Sequence, residues 1–254
     1  MQVTSNPNFP QSSLKSGPSI VDPLAYLPCS PITDYNGGEA IYTDNQDATR
    51  IFLIVDGKVK ISRHARGTEV VVDVYQSDEF FGESALAGLP RRMETAVTLE
   101  QTRVMSWSSD EIEENVILRP RLAVALLQLI VRRSVDLGNR IESFSVESIA
   151  RRLTRTLMLF AERFGLEGED GSVKIAAFTH ELLSQYVGTS REIITHYMSK
   201  FRREGYLQYS REGISLYPRA LTEWQTSPQT AAAITPESLA LAASEQAQSL
   251  RLMS

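Results

Sequence analysis

From Glu39 onward the chain falls into short runs in which apolar residues alternate with polar ones or stand in brief apolar blocks: EAIYT, RIFLIV, KVKIS, EVVVDVY, METAVT and TRVMSW. With turn residues closely spaced between them, these runs predict strands, and many short strands predict an antiparallel roll or barrel. Asp56-Gly57, between RIFLIV and KVKIS, is a type I′ hairpin signal. Near Asp110 the texture changes. From Pro120 to Phe144 there is no glycine before Gly138, and Leu122, Leu126, Leu129, Val131, Leu137 and Ile141 recur at roughly helical intervals. That helix is more apolar than one roll face requires. Pairing with the same helix of a second copy would bury the surplus, and ordinary packing within one chain is the alternative.

The second half is helical before it turns to strand again. Ile149, Leu153, Leu157 and Phe160 line one side of a helix over 148–164; THELLSQYV, a GTS turn and SREIITHYMSKFRREG follow, then YLQYS and GISLYP around Arg211-Glu212. Helix, helix, turn, helix and hairpin describe a winged helix-turn-helix. Residues 1–25, rich in Ser, Pro, Asn and Gln without periodicity, predict a mobile arm. The layout is α+β: arm 1–25, roll 26–115, dimerisation helix 116–145, winged domain 146–220, and an Ala/Ser/Gln-rich extension 221–254. Within the extension Thr235-Pro236-Glu237 is a helix-start signal.

Composition narrows the function. No run approaches the roughly 18 apolar residues of a membrane span, and MQVTSNPNFPQSS has neither a basic nor an apolar leader segment, so a cytoplasmic chain is expected. One cysteine, Cys29, cannot form an internal disulfide or ligate an iron–sulfur cluster, and a buried structural thiol is its expected role. The net charge is −5, yet residues 145–219 hold 11 Lys and Arg against 9 Asp and Glu. The slightly basic part is the winged domain.

Within VGTSREIITHYMSKF, Ile193, Ile194, Tyr197, Met198 and Phe201 form an apolar face against Leu182, Leu183, Tyr186 and Val187, leaving Arg191, Glu192, Thr195, His196 and Ser199 on the other side. A guanidinium can bond the guanine O6/N7 edge and a carboxylate can accept from a cytosine amino group, so an Arg-Glu pair on the first turn suits two neighbouring base pairs. Thr189-x-x-Glu192 also reads as a capping box, which would hold the helix start whatever the helix does. Both readings stand together. Arg191, Glu192 and His196 are the candidate base readers; Thr179, Ser190, Ser199, Lys200 and Arg211 are candidates for phosphate contacts.

GTSREIITHYMSKFRREGYL resembles the recognition helix and wing of the cyclic-AMP receptor protein/FNR (CRP/FNR) family of bacterial transcription regulators. DVYQSDEFFGESALAG resembles that family's phosphate-binding cassette and LIVDGKVKI its first hairpin, so the resemblance spans roughly residues 35–217. It implies a double-stranded β-roll, a long dimer helix and a winged helix-turn-helix, with homodimers reading palindromic promoter DNA and RNA polymerase as a candidate partner. The family's paired arginine and glutamate, which read the inner G·C pairs of a TGTGA-type half-site, correspond to Arg191 and Glu192; where a second arginine usually follows, this chain has His196.

The resemblance also locates an effector pocket at Gly82, Glu83, Ser84, Arg92 and Arg133, with Glu83 placed to accept from a ribose hydroxyl. There the chain departs from the family. Glu94-Thr95-Ala96 stands where an arginine, a small residue and alanine hold the cyclic phosphate, and Leu137 and Gly138 replace the Thr-Ser pair that holds adenine. Two negative charges about 4 Å apart repel by ~4 kcal/mol at an effective dielectric near 20. Arg92 could partly compensate, and Glu83 could instead be structural, paired with Arg91 or Arg92. Gating by cyclic AMP is therefore not expected. His64 and Cys29 are conceivable haem ligands, but plain surface is the expectation for a lone histidine in a loop, and His180 reads as capping or phosphate-contacting. No catalytic or metal-binding set emerges, so the expected function is a homodimeric, sequence-specific DNA-binding regulator. A cyclic-nucleotide sensor and a winged module that docks protein are the rivals.

Overall fold

A computed structural model describes residues 21–209, 213–218 and 220–222. The first half is a roll of two four-stranded antiparallel sheets. One has the order β1 (Thr33–Tyr35), β8 (Thr102–Ser108), β3 (Arg50–Asp56), β6 (Phe80–Phe81); the other has β2 (Ala40–Tyr42), β7 (Thr95–Thr98), β4 (Lys58–Ala65), β5 (Thr68–Gln76). Both sheets turn one face inward, so Phe52, Ile54 and Val104 from the first meet Tyr42, Val59 and Ile61 from the second in one core.

Asp56-Gly57 does not make the expected hairpin turn. β3 and β4 lie in different sheets, and Asp56 lacks the positive φ that a type I′ turn demands, so the chain crosses between sheets here. Gly57, at φ 102°, sits where a Cβ would stand 2.5 Å from Thr102 Oγ1. The two-residue turn with both φ values positive is Arg66-Gly67, joining β4 to β5.

After the roll come α1 (Ser109–Leu118), started by a capping box between Ser108 and Glu111, and α2 (Arg121–Val146). The expected dimer positions divide between two faces of α2. Leu122 and Leu126 are buried with Ile51, Leu53, Phe80 and Trp107, and half-buried Leu129 packs on the same cluster. These three leucines serve the chain's own roll, because the first turns of α2 pack on its first sheet. Leu137 and Ile141 are exposed, together with Val124, Leu127 and Val131. Val124, Leu127, Val131 and Ile141 fall with Ser134 and Gly138 in the series 124, 127, 131, 134, 138, 141, spaced alternately by three and four as in paired helices, and Leu137 lies beside it.

Part of the arm is also packed. Pro23–Tyr26 forms a short 3-10 turn against α2, and Val21 N–H donates to Gln128 Oε1 at 3.0 Å. Cys29 is exposed, not buried as expected, because its neighbours are held by the roll instead: Trp107 Nε1 donates to Pro28 O and Ser30 Oγ to Ser106 O.

The winged domain comprises α3 (Ile149–Phe164), β9 (Leu166–Glu167), β10 (Val173–Ile175), α4 (His180–Val187), α5 (Arg191–Arg203), β11 (Leu207–Tyr209) and β12 (Ile214–Leu216). Leu221, placed by sequence in the extension, is fully buried in this domain's core. Residues 1–20, Arg211 and the Thr235-Pro236-Glu237 signal lie outside the described residues.

Candidate nucleic-acid interface and roll pocket

Two helices present the interface. Thr179 caps α4 by accepting from Leu182 N–H at 3.1 Å, and Gly188 ends the helix at φ 72°, where a Cβ would come within 2.8 Å of the Phe144 ring on α2. The cap of α5 is Ser190, which accepts from Ile193 N–H, and not Thr189; the expected Thr189-x-x-Glu192 box is out of register by one residue. Ile194, Tyr197, Met198 and Phe201 are buried against Leu182, Leu183, Tyr186 and Val187. Arg191, Glu192 and Thr195 are exposed, and His196, Ser199 and Lys200 are half-exposed on the same helix.

Thr195 Oγ1 donates to Arg191 O at 2.9 Å and lies 2.9 Å from His180 Nδ1, so the start of α4 is tied to the exposed stripe of α5. Partial burial, then the nearby Arg191 charge, pushes His180 below the ordinary histidine value. Partial burial followed by Lys200 and Arg203 does the same to His196, whose ring sits edge-on to Tyr197. Glu192 is held below the usual carboxylate range by its own backbone N–H and by the Ser190 hydroxyl, so it is an ionised acceptor at neutral pH. The hydroxyls of Thr179 and Ser190 are engaged as caps of the two helices.

The second site is a cleft of about 1550 Å³ between the roll, α2 and α3. Arg92 does not enter it as a compensating cation. Only 3% exposed, Arg92 lies beneath the Gly82 turn, donating from Nη1 to Gly82 O at 2.8 Å and Ser84 Oγ at 3.0 Å and from Nη2 to Arg50 O, with its guanidinium 4.2 Å from the Tyr42 ring centroid. Glu83 pairs with Arg133 at 2.7 Å, and not with Arg91 or Arg92; Arg91 takes Asp47 instead. Burial works against the Arg133 charge, but Tyr75 and Glu83 outweigh it and raise its pKa. Arg133 Nη2 also donates to Phe80 O, so this guanidinium is committed. Glu94 faces the cleft near Tyr42, Ser84 and Arg63. His64 pairs across strands with Glu69 on the second sheet, whereas the residues flanking Cys29 bond to β8 of the first.

The residues that join the two domains escaped the sequence reading. Arg163 on α3 contacts Asp73 and Glu79, while Arg140 on α2 donates to Val71 O and Tyr186 O, each at 2.6 Å. Arginines on helices read as solvated surface, and Val71 and Val74 of EVVVDVY are buried in the core of the winged domain, a neighbour of β5 that the run itself does not specify.

A roll with a cleft, joined by a long helix to a winged helix-turn-helix, defines a two-domain transcription regulator. Residues 32–116 match the cyclic nucleotide-binding domain and residues 151–224 the Crp-like helix-turn-helix domain. The chain is 26% identical over 183 residues to the CRP-like cAMP-activated global transcriptional regulator of Mycobacterium tuberculosis, covering 71% of this chain and 81% of that protein. It is 25% identical to the global nitrogen regulator of Synechococcus elongatus, over 76% and 88% of the two chains. FixK2 from Bradyrhizobium japonicum shares the fold at a TM-score of 0.69 and 16% identity, over 82% of this chain and all of that one. This chain belongs to the CRP/FNR family, and it is a DNA-binding transcription regulator. Among the described residues no helix is long and apolar enough to cross a membrane.

Proposed function

We propose that the protein acts as a homodimer that reads a palindromic DNA site through Arg191, Glu192 and His196, and that cyclic AMP does not gate it. The observation that carries the reading is the exposed acid–base pair on the first turn of α5, backed by a helix face that is fully packed. Two such turns, one per subunit, suit half-sites about one helical turn apart. Exposed Val124, Leu127, Val131 and Ile141 on α2 support the dimer, since a helix seam of this length in water calls for a partner, and a second copy supplies the same seam. Ser199 and Lys200, with backbone N–H groups at the two helix starts, are the phosphate contacts of this reading.

The Mycobacterium relative is named for activation by cAMP. Glu94 argues against carrying that property over: it faces the cleft, and the nearby arginines Arg92 and Arg133 are turned to protein carbonyls and to Glu83. Titration calorimetry with cyclic AMP and cyclic GMP tests the negative part, with no heat of binding expected. Sequence-selective, salt-sensitive binding to duplex DNA tests the positive part, because each neutralised phosphate releases counterions.

A further inference from the structure

Thr195 stands on the exposed side of α5, and its single hydroxyl proton is already spent, because Oγ1 donates to Arg191 O at 2.9 Å. His180 Nδ1 lies 2.9 Å from the same oxygen. With no proton left on Thr195 to give, Nδ1 carries the proton of the neutral ring and donates to Oγ1, which leaves Nε2 as the bare nitrogen. Among the described residues Nε2 has no hydrogen-bond partner, and the half-exposed ring belongs to the first residue of α4.

The ring also has no anion of its own. From α5 it meets Thr195 and the Arg191 charge, and from β11 the Tyr209 ring, edge-on at 5.7 Å, which in turn carries the Arg202 guanidinium at 4.9 Å. Glu181, the next residue of α4, accepts from Gln185 at 3.2 Å. Partial burial and then Arg191 hold His180 below the ordinary 6.5, so it is neutral in the free protein at neutral pH. The positive end of the α4 dipole draws an anion to this place and disfavours an unpaired cation there. A fixed inner nitrogen and an open outer one await a negative partner.

We propose that His180 is a proton-dependent DNA contact: when a backbone phosphate faces the start of α4, Nε2 takes a proton from solvent and donates it to that phosphate, while Nδ1 stays on Thr195. This rests on the reading of α5 as the DNA-reading helix. It adds a control of that site by pH. In the free protein the ring charges only below its depressed value, whereas beside a phosphate it charges at a higher pH. Affinity therefore rises as pH falls through the interval between the two values and levels off below it.

Fluorescence anisotropy of the full chain on a palindrome of two TGTGA-type half-sites and on a scrambled duplex, over a salt series at about pH 6 and about pH 8, reads the contact. The unaltered protein is expected to bind both duplexes roughly tenfold more tightly at the lower pH, with a salt slope steeper by about one, because one more phosphate is neutralised. In His180→Asn the side-chain amide keeps a donor for Thr195 and cannot titrate, so the steepening disappears. Circular dichroism at both pH values confirms that the variant folds. His196 is present in both proteins, so its own titration cancels in the comparison. A slope that does not change with pH in the unaltered protein, or the same steepening in His180→Asn, would overturn the contact and leave the reading of α5 standing. Absence of salt-sensitive binding to either duplex at both pH values would overturn the DNA reading and the contact together.

Discussion

Arg163, in the last turn of α3, holds its guanidinium 2.8 Å from Asp73 on β5 and 3.0 Å from Glu79 beyond it. The same arginine donates to Val74 O, and its own carbonyl accepts from Gln76. Around this fork Val71 and Val74 of the roll are buried in one cluster with Leu157, Phe160 and Tyr186 of the winged domain. The two domains therefore share a core with a polar clasp at its edge. Arg163→Met leaves both carboxylates facing an uncharged side chain, and a loss of about 2–3 kcal/mol is expected for a pair this enclosed. Scanning calorimetry should then resolve two transitions where the unaltered chain shows one. A single unshifted transition in the variant would mean that the clasp contributes nothing to coupling.

The two faces of α2 make opposite predictions. Leu127→Asp places a charge in the outward seam, and analytical ultracentrifugation is expected to show monomers with the fold retained. Leu122→Ala opens a cavity beneath the roll and is expected to cost about 2–5 kcal/mol with the oligomeric state unchanged. If both variants remained dimers, the seam would lie elsewhere.

How legible this was in the sequence depended on whether the signal was local. Strand runs, the α4 and α5 faces and the exposed polar stripe of α5 were legible because each rests on spacing within one element. The split of α2 was not. Leu122 and Ile141 sit on one apolar periodicity, and only the sheet packed against the first turns assigns Leu122 to the roll and leaves Ile141 outside. The Asp56-Gly57 turn misled because its dipeptide fits a hairpin, whereas β3 and β4 belong to different sheets and Gly57 packs closely on Thr102, far along the chain. In the roll pocket the exchange of arginine for Glu94 was visible as a departure from a family pattern. That Arg92 turns beneath Gly82, and that Glu83 takes Arg133, required the fold.

His180 links stability to pH. Its pKa is pushed below the ordinary 6.5 first by partial burial and then by Arg191, so the folded state prefers the neutral ring. The stability this adds is fully present above pH 6.5, the unfolded value, and is lost as pH falls from there through the depressed folded value. Melting curves between pH 7.5 and pH 5, a window chosen to bracket roughly the unperturbed histidine range, should fall less steeply for His180→Gln than for the unaltered chain. Equal slopes would show that other groups govern the acid limb.

Base readers and phosphate contacts separate by the kind of loss they cause. Lys200→Ala is expected to weaken all duplexes alike and to lower the salt slope by about one. Ser199→Ala, which removes an uncharged donor, should leave that slope unchanged.

Fluorescence anisotropy of the Arg191→Ala variant beside the unaltered protein, on a palindrome of two TGTGA-type half-sites and on its scrambled counterpart, tests the central claim most directly. The unaltered protein should prefer the palindrome, and the substitution should remove about 1–3 kcal/mol of affinity from it alone, relaxing discrimination at one guanine. Equal losses on both duplexes, or no preference by the unaltered protein in the first place, would contradict the assignment of Arg191 as a base reader.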